Sequence, residues 1–398
     1  MNSDRWVRFL FVILFLVPIF ACGGSSGNNS GGGNDPPPST TEILYGANGA
    51  NTIYAFQVDQ TSGGLTQTAS VAPGGLSNSN TELTVTPTGT FLYALNTAGM
   101  GVNAYSTGKS GTLSLISGSP FPVLPGIQPS NFLSTVVADP SGKFLYVGTA
   151  AGFGGVASFS IDSTTGTLSG TGGPFSTFSQ QTGGGTPVRI AIDPGGSFLY
   201  ASDQSQSVWA FSINAQDGTL TAVPGSPFAA GSQPFGLAVE PSGKFLYVAL
   251  SNSNSIAAFS IDRATGTLAL VPGSPFPTSS MQFTQTYEIA IHPTGKFLYA
   301  FNLNGNTVAA FTIDSTSGVL SPISGSPFAI TPNAQGDLVV DPSGKFLYLT
   351  AVPPPAMTPP SAFIIFDINT TTGALTANPQ SPVLGSQEPQ GLAVAQFQ

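Results

Sequence analysis

Charged side chains are rare in this sequence, yet they recur at one position of a repeated pattern. Asp, Glu, Lys and Arg make up 7% of the 398 residues, whereas an ordinary soluble domain has roughly 25%. At the fifth residue before each turn proline, and at the matching place in a last copy without proline, four of seven residues are charged. The seven residues are Glu82, Thr135, Arg189, Gly236, Glu288, Asp337 and Gly391. Carboxylates can act as general bases, and a guanidinium can stabilise an oxyanion.

These seven positions allow two interpretations. In the first, Glu82, Thr135, Arg189, Glu288 and Asp337 bind a polar ligand, and no cofactor is required. Ca²⁺ or Mg²⁺ is the metal that such a set would suit, because it offers carboxylate oxygens without histidine or thiolate. In the second, Arg189 only neutralises neighbouring carboxylates and keeps the repeats in register. The residue types favour neither interpretation.

The single histidine and the single cysteine of the chain lie away from these positions. His292 precedes a turn proline, where the other copies mostly have Asp or Glu, so we expect it to cap a turn and to take no part in catalysis. One Cys and one His exclude disulfide bonds within the chain and Cys/His zinc clusters. A net charge of −9 leaves no basic surface for nucleic acid.

Residues 1–21 have the composition of a secretory signal peptide. Two arginines precede an apolar run of twelve residues, which is too short for a spanning helix of about 20 residues. The run Ile19-Phe20-Ala21-Cys22 resembles a bacterial lipobox, so we expect Cys22 to carry lipid and residues 22–41 to form a Gly/Ser/Pro-rich tether. Cleavage after Ala21 that leaves a free thiol is the alternative. The predicted location is the cell envelope, on the periplasmic or surface side of the outer membrane, with the membrane as partner.

The elements that position the seven residues repeat about every 50 residues over residues 42–398. Each copy contains a step of the type Phe-Leu-Tyr and, further on, a Gly-x-Leu step. The tyrosines are Tyr45, Tyr93, Tyr146, Tyr200, Tyr247, Tyr299 and Tyr348, and the glycines are Gly63, Gly111, Gly166, Gly218, Gly266, Gly318 and Gly373. Short runs of Val, Ile, Phe, Tyr and Ala between Gly/Pro turns predict four strands in each copy. This period with several strands per copy indicates a β-propeller.

The two ends of the repeat region predict how the propeller closes. The first copy begins with its second strand, and residues 391–395 repeat the first strand of residues 236–240 with no second strand after it. We therefore predict an all-β fold, a seven-bladed β-propeller of four-stranded antiparallel blades, closed by the C-terminal strand completing the first blade. The innermost strands would place the seven positions at the mouth of the central channel, on the face that also has the variable loops.

These repeats resemble the lactonase-type seven-bladed propellers, which include 6-phosphogluconolactonase and carboxy-muconate cyclase. The resemblance covers residues 42–398 and rests on Pro-Ser-Gly-Lys-Phe-Leu-Tyr-Val followed by Ile-x-x-Phe-x-Ile-Asp and Thr-Gly-x-Leu. The repeats are also similar to surface-layer propellers with Tyr-Val-x-Asn steps. The resemblance implies lactone hydrolysis. The family's His-containing steps are missing, however: residues 186–189 read Thr-Pro-Val-Arg, and residues 233–236 read Gln-Pro-Phe-Gly.

The sequence therefore allows two functions. The sequence favours a binding module for a carbohydrate, peptide or protein partner at the channel mouth, because no recognisable catalytic set is present. The alternative is a lactone hydrolase in which Glu82, Glu288 or Asp337 is the base and Arg189 binds the oxyanion. A phosphorylated lactone fits this set poorly, because its negative charges would meet three carboxylates and one guanidinium.

Overall fold

The computed structural model describes residues 40–397 except 49–51, 73–81, 98, 124–131, 151–154, 176–186, 204–205, 280–283, 332–333, 352–360 and 386–388. The predicted signal peptide, Cys22 and the tether up to residue 39 lie outside the described residues. In the described part, the chain forms strands and turns without an α-helix. No helix long and apolar enough to cross a membrane is found among the described residues.

The strands group into seven antiparallel sheets, the blades of a propeller. Blade 1 contains β1 (Thr41–Asn48), β2 (Thr52–Val58), β3 (Leu65–Val71) and β33 (Pro389–Phe397). Blade 2 contains β4 (Leu83–Val85), β5 (Phe91–Asn96), β6 (Gly101–Thr107), β7 (Leu113–Leu115) and β8 (Phe121–Pro122). Blade 3 contains β9 (Phe132–Ala138), β10 (Phe144–Ala150), β11 (Gly155–Ile161) and β12 (Leu168–Phe175). Blade 4 contains β13 (Pro187–Ile192), β14 (Phe198–Asp203), β15 (Ser207–Ile213), β16 (Leu220–Ala222) and β17 (Phe228–Ala229).

The remaining three blades repeat the arrangement of blade 4. Blade 5 contains β18 (Pro234–Val239), β19 (Phe245–Leu250), β20 (Ser255–Ile261), β21 (Leu268–Leu270) and β22 (Phe276–Pro277). Blade 6 contains β23 (Thr286–Ile291), β24 (Phe297–Asn302), β25 (Thr307–Ile313), β26 (Leu320–Pro322) and β27 (Phe328–Ala329). Blade 7 contains β28 (Ala334–Val340), β29 (Phe346–Ala351), β30 (Ser361–Ile368), β31 (Leu375–Ala377) and β32 (Val383–Gly385).

The outermost strand of five blades is divided into two short pieces. In blade 5, for example, β21 and β22 both pair with β20. Pro275 lies between the two pieces, and a proline cannot donate a hydrogen bond to the ladder. The predicted four-stranded blade is thus confirmed, with an interruption in its outer strand that the repeat does not reveal.

The C-terminal strand completes the first blade, as the chain ends predict. Strand β33 pairs antiparallel with β1, in a register that joins Thr41 to Phe397 and Ala47 to Gly391. The first strands of neighbouring blades contact one another all around the ring, including β28 with β33 and β33 with β4. These first strands therefore form the wall of the central channel, and the seam between blades 7 and 1 is closed.

Neighbouring blades are joined by a repeated contact between a tyrosine and a glycine. The tyrosine hydroxyl of the second strand donates a hydrogen bond of 3.0–3.3 Å to a glycine carbonyl of the next blade. The pairs are Tyr93–Gly166, Tyr146–Gly218, Tyr200–Gly266, Tyr247–Gly318, Tyr299–Gly373 and Tyr348–Gly63. The two motifs that repeat in the sequence are thus the two partners of one junction.

The glycine of this tyrosine–glycine contact is required for two reasons. Gly318, for example, has a φ of +75°, which L-residues with side chains rarely adopt. A Cβ at this residue would also lie 2.4 Å from Cδ1 of Phe245, the phenylalanine two residues before Tyr247. The aromatic ring occupies the space that a side chain would need, so the Phe-Leu-Tyr and Gly-x-Leu steps depend on each other.

His292 lies on the turn face, opposite the channel mouth, and caps a turn as predicted. Its Nδ1 accepts a hydrogen bond from the backbone N–H of Thr294 (3.1 Å), and its Nε2 lies 2.9 Å from the carbonyl oxygen of Gly344 in blade 7. Nε2 is therefore the protonated nitrogen. Burial lowers the pKa of His292, which keeps the imidazole neutral in this inter-blade bond.

Candidate active site at the channel mouth

The inner strands begin with irregular pairing, and this irregularity positions the residues of the site. In blade 5 the register shifts between Pro234 and Leu237, and in blade 6 it shifts between Thr286 and Glu288. Comparable shifts occur at the same end of the inner strand in blades 1, 3, 4 and 7. A β-bulge leaves one or more residues outside the ladder and turns their side chains in a new direction. Six of the seven aligned positions lie at these bulges or directly beside them, whereas Glu82 directly precedes β4, which pairs regularly with β5.

Arg189 of blade 4 binds two carboxylates from non-adjacent blades. Its Nη2 lies 2.9 Å from Oε1 of Glu82, at the start of blade 2, and its Nε lies 2.6 Å from Oε1 of Glu288 in blade 6. The side chains of all three residues are largely buried, with exposed fractions of 15%, 12% and 7% in this order. The sequence positions 82, 189 and 288 thus meet as one cluster, which we call the Arg189 cluster.

Gly236 of blade 5 makes room for this cluster. It lies at the aligned position between Arg189 and Glu288, and a Cβ on Gly236 would approach Oε2 of Glu288 to 2.4 Å. The missing side chain therefore lets Glu288 extend across blade 5 and reach the guanidinium. Its φ is not in the left-handed region, so space, and not backbone conformation, is the reason for this glycine.

Asp337 lies close to the cluster but has a different role in the fold. Its Oδ1 accepts a hydrogen bond from the N–H of Leu338 (2.8 Å), and its Oδ2 accepts one from the N–H of Leu392 (3.1 Å). Asp337 thereby links blade 7 to the C-terminal strand in blade 1. Its charge still acts on Arg189, Glu288 and Glu82.

Thr135 is placed in the wall of the channel. Its side chain is 3% exposed and packs against the strand that contains Gly148, where a Cβ would lie 2.7 Å from Thr135 Cγ2. Thr135 takes no part in the two ion pairs of Arg189. Of the five residues that the sequence singles out for ligand binding, the structure thus joins three by direct contact, places Asp337 nearby, and leaves Thr135 as a packing residue.

Burial changes the proton affinity of the three acids. It raises the pKa of Glu288 to about 8, although the charge of Arg189 acts in the opposite direction. It raises the pKa of Asp337 to about 7, with a further contribution from Glu82, and it raises the pKa of Glu82. Burial by itself would lower the pKa of the Arg189 guanidinium. The negative charges of Glu288, Glu82 and Asp337 have the larger, opposite effect, so this pKa is raised. Glu288 and Asp337, whose pKa values are raised toward neutral pH beside a permanent cation, can accept and return protons.

Two aromatic residues beside the cluster were not foreseen from the sequence. The rings of Phe235 and Tyr287, from blades 5 and 6, lie with centroids 3.7 Å apart and planes inclined by 30°. The Cζ atom of Arg189 lies 5.3 Å from the centroid of Phe235. Both aromatic residues directly precede an aligned position, Gly236 and Glu288, which is the signal that could have identified them.

Ser202 holds the backbone beneath these side chains. Its hydroxyl accepts a hydrogen bond from the N–H of Arg189 (3.2 Å) and donates one to the carbonyl of Phe235 (2.6 Å). This buried serine therefore fixes the inner strand of blade 4 against that of blade 5. The relative position of the guanidinium and the aromatic ring is set by the backbone as well as by side-chain packing.

The arrangement offers acid–base chemistry and anion stabilisation without a metal. Over the ranges that the structure describes, no three His, Cys, Asp or Glu side chains lie close enough to hold a metal ion. The space between Glu82 and Glu288, where the sequence allowed Ca²⁺ or Mg²⁺, contains the guanidinium of Arg189. A positive group next to carboxylates of raised pKa is suited to the hydrolysis of an ester.

Several solved structures share this fold at low sequence identity. The periplasmic gluconolactonase PpgL of Pseudomonas aeruginosa has a TM-score of 0.72 and 18% identity, over 90% of this chain and 99% of that chain. A protein of Bacteroides uniformis, provisionally named a 6-phosphogluconolactonase, has a TM-score of 0.71 and 20% identity, over 89% of this chain and 99% of that chain. A protein of Bacteroides fragilis with the same provisional name has a TM-score of 0.69 and 23% identity, over 91% of this chain and 100% of that chain.

The sequence itself matches a family model. A search of curated proteins finds no match. The model described as "Lactonase, 7-bladed beta-propeller" matches residues 119–232, 176–280 and 272–389. These segments overlap and together span more than half of the chain, from blade 2 to blade 7. By its repeats, its closed ring and this match, the chain belongs to the lactonase family of seven-bladed β-propellers.

Proposed function

We propose that this protein hydrolyses a lactone at the Arg189 cluster. The observation that carries the proposal is a guanidinium held between two buried carboxylates, at the channel mouth of a lactonase-family propeller. The names of similar structures, a gluconolactonase among them, support the same chemistry. Membership of the family favours hydrolysis over the binding module that the residue types alone suggest.

Hydrolysis of a lactone requires a base for water and a positive group for the oxyanion. We assign the base to Glu288, because its Oε1 is bound to Arg189 whereas its Oε2 lies over the bare backbone of Gly236. Glu288 takes a proton from water as the oxygen of that water attacks the carbonyl carbon. The tetrahedral oxyanion forms beside Arg189, which stabilises its charge. The bond from carbon to ring oxygen then breaks, the ring oxygen receives the proton from Glu288, and the product is a hydroxy acid.

Glu82 and Asp337 act as positioning residues in this mechanism. Glu82 holds the second side of the guanidinium, so that Arg189 remains directed across the channel. Asp337 is anchored by two backbone N–H groups and adds negative charge near Glu288. Negative charge nearby favours the protonated form of a carboxyl group, which helps to place the pKa of Glu288 in the range that suits a base near neutral pH.

The charge of the cluster favours an uncharged sugar lactone over a phosphorylated one. The one cation, Arg189, is already paired with two carboxylates, and Asp337 adds a third. At ~5 Å and an effective dielectric constant of about 20, each contact between a phosphate charge and a carboxylate costs on the order of 3 kcal/mol. A neutral substrate avoids this repulsion.

We further propose that the protein works in the cell envelope, anchored to a membrane by lipid at Cys22. The apolar run, the sole cysteine directly after it and the Gly/Ser/Pro-rich stretch support this location. The acidic composition gives no reason to expect nucleic acid as a partner. Replacement of Cys22 by Ser should release the protein from the membrane fraction.

The test is acid release from a panel of lactones, led by D-glucono-1,5-lactone and its 6-phosphate. We expect the neutral lactone to be hydrolysed faster than it opens spontaneously, and Glu288→Gln to lower kcat about 100-fold or more. Glu240→Gln is the matched control, since Glu240 is an equally buried glutamate at the turn end of blade 5. It should retain activity. A wild-type protein that binds these sugars without releasing acid would overturn the hydrolase and leave the binding module in its place.

A further inference from the structure

The aromatic pair of Phe235 and Tyr287 is exceptional within the repeat. The equivalent residues of the other blades, directly before the aligned positions, are Thr81, Ser134, Val188, Gly336 and Gln390. Large aromatic side chains therefore occur at this point in two adjacent blades only. The register shifts beside them remove these two residues from regular pairing and turn them toward each other.

The two rings are not simply part of the hydrophobic core. Both Phe235 and Tyr287 are partly exposed, whereas the second-strand tyrosines such as Tyr247 and Tyr299 are fully buried. Tyr287 also packs against the cluster of apolar residues between blades 6 and 7. The stacked pair thus lies at the mouth of the channel with part of each side chain exposed.

The pair lies directly beside the charged groups of the site. Arg189 lies 5.3 Å from the centroid of Phe235, and Tyr287 is the neighbour of Glu288 in the chain. Burial raises the pKa of Tyr287 to about 12, and Arg189, Glu288, Glu82 and Asp337 all influence it. The phenol therefore remains protonated and lies within the field of the entire cluster.

We propose that the outer, exposed side of the stacked Phe235–Tyr287 pair forms the subsite that binds the ring of the substrate, against which one face of a six-membered sugar lactone packs. One face of such a ring presents C–H groups of slightly positive character, and the faces of aromatic rings are slightly negative. Binding sites commonly combine aromatic walls with a few polar groups that fix orientation. A ring bound there would lie near Arg189, whose Cζ atom is 5.3 Å from the centroid of Phe235. This assignment rests on the proposed function and adds to it the residues that bind the ring of the substrate.

The subsite predicts a separation of binding from turnover. Tyr287→Leu and Phe235→Leu should each raise KM for D-glucono-1,5-lactone about tenfold, with kcat changed less than about threefold, because a stacking contact of this kind contributes on the order of 1 kcal/mol. Tyr287→Phe retains the ring and should keep KM near the wild-type value. Hydrolysis of methyl glycolate, an acyclic hydroxy ester, should be unaffected by all three substitutions.

A second measurement separates the subsite from the reaction. Binding of D-glucono-1,5-lactam, which has the same ring but resists hydrolysis, is measured by calorimetry for the wild type, Tyr287→Leu, Phe235→Leu and Tyr54→Leu. Tyr54 is a partly exposed aromatic residue on the third strand of blade 1 and is the matched control. We expect weaker binding in the two channel-mouth variants only, all four proteins having the same circular dichroism spectrum.

The outcomes distinguish the two proposals. Lactam binding that depends on Tyr287, in a protein that hydrolyses no lactone, would overturn the hydrolase and support the subsite. Hydrolysis with an unchanged KM in both leucine variants would support the hydrolase and overturn the subsite. A wild-type protein that neither binds the lactam nor hydrolyses the lactone would overturn both.

Discussion

The blade junctions and the channel mouth are built from the same repeat but use it in opposite ways. At six junctions the same tyrosine hydroxyl meets the same glycine carbonyl. At the channel mouth, the residue type at the equivalent position changes from each blade to the next, and three of these residues, from blades 2, 4 and 6, join in one cluster. A junction has to solve one packing problem many times, whereas this site combines two carboxylates with one guanidinium. In this fold, uniform positions therefore maintain the ring, and non-uniform inner positions form the site.

Removal of the C-terminal strand should abolish both regions and is the largest effect we expect. Deletion of residues 389–398 leaves β1 without its inner neighbour and exposes an unpaired edge at the seam. We predict aggregation and loss of the cooperative thermal transition, measured by circular dichroism and light scattering. A truncated protein that melts within about 5 °C of the full chain would contradict the closure of the ring.

Two glycine substitutions of equal size should separate the two regions. Gly318→Ala introduces a Cβ at a φ of +75°, 2.4 Å from Phe245, and should destabilise the fold by about 2–3 kcal/mol while activity per folded molecule is retained. Gly236→Ala introduces a Cβ 2.4 Å from Oε2 of Glu288. This Cβ would also lie 2.7 Å from the carbonyl oxygen of Tyr287 and 2.8 Å from Cα of Glu288, so the carboxylate and the backbone that holds it must both move. We expect a loss of specific activity of about 100-fold, accompanied by some loss of stability.

Denaturant unfolding and lactone hydrolysis are measured on both variants. Each variant is the control for the other, since the two changes add one methyl group to one glycine of the same repeat. If Gly318→Ala lost activity without loss of stability, or Gly236→Ala unfolded without loss of specific activity, the distinction between junction and site would be wrong.

A smaller effect is expected at a residue that departs from the repeat without facing the channel mouth. Glu42 takes the place of lysines such as Lys143 and Lys345 and is fully buried at the seam between blades 7 and 1. Burial and the charge of the neighbouring Asp341 together raise the pKa of Glu42 to about 7, against the opposing effect of the hydrogen bond that Glu42 accepts from Gln396 (3.3 Å).

The folded chain therefore holds a proton on Glu42 that the unfolded chain releases. This contribution to stability is complete below about pH 4.5 and is lost as the pH rises through about 7. Burial of Glu288 and Asp337 acts in the same direction. Glu42→Gln should reduce the decline in stability between pH 5 and 8 by on the order of 2 kcal/mol, with lactone hydrolysis unchanged.

The control for this measurement is an acid with the opposite shift. Backbone hydrogen bonds from Ser317 and Thr316 in an exposed turn lower the pKa of Asp314. Asp314→Asn should therefore leave the pH dependence of stability between pH 5 and 8 unchanged. The free energy of unfolding is obtained from urea unfolding at each pH, and its slope against pH is compared between the variants. An unchanged slope in Glu42→Gln would show that this seam residue does not take up the proton.

The repeat made most of the fold predictable. The Phe-Leu-Tyr and Gly-x-Leu steps, the missing first strand and the surplus last strand led to seven closed blades, because each motif serves a contact between elements near one another in the sequence or in the next blade. The interrupted outer strands were missed, since the Ser-Pro step that divides them resembles an ordinary turn. The turn-capping role of His292 followed from its alignment with Asp and Glu, and the structure confirms it.

The sequence by itself determined the blades, the closure of the ring and the positions whose residues depart from the repeat. Tertiary structure alone decided which of those positions meet. Arg189 bypasses the adjacent blades and binds Glu82 and Glu288, Asp337 turns to backbone N–H groups, and Thr135 packs into the wall. It also decided that Phe235 and Tyr287 lie together beside Arg189. The physical reason is that the alignment of the repeats specifies how deep along the channel a residue lies. The direction and reach of its side chain depend on side-chain length, on the space left by Gly236 and on the bulges of the inner strands.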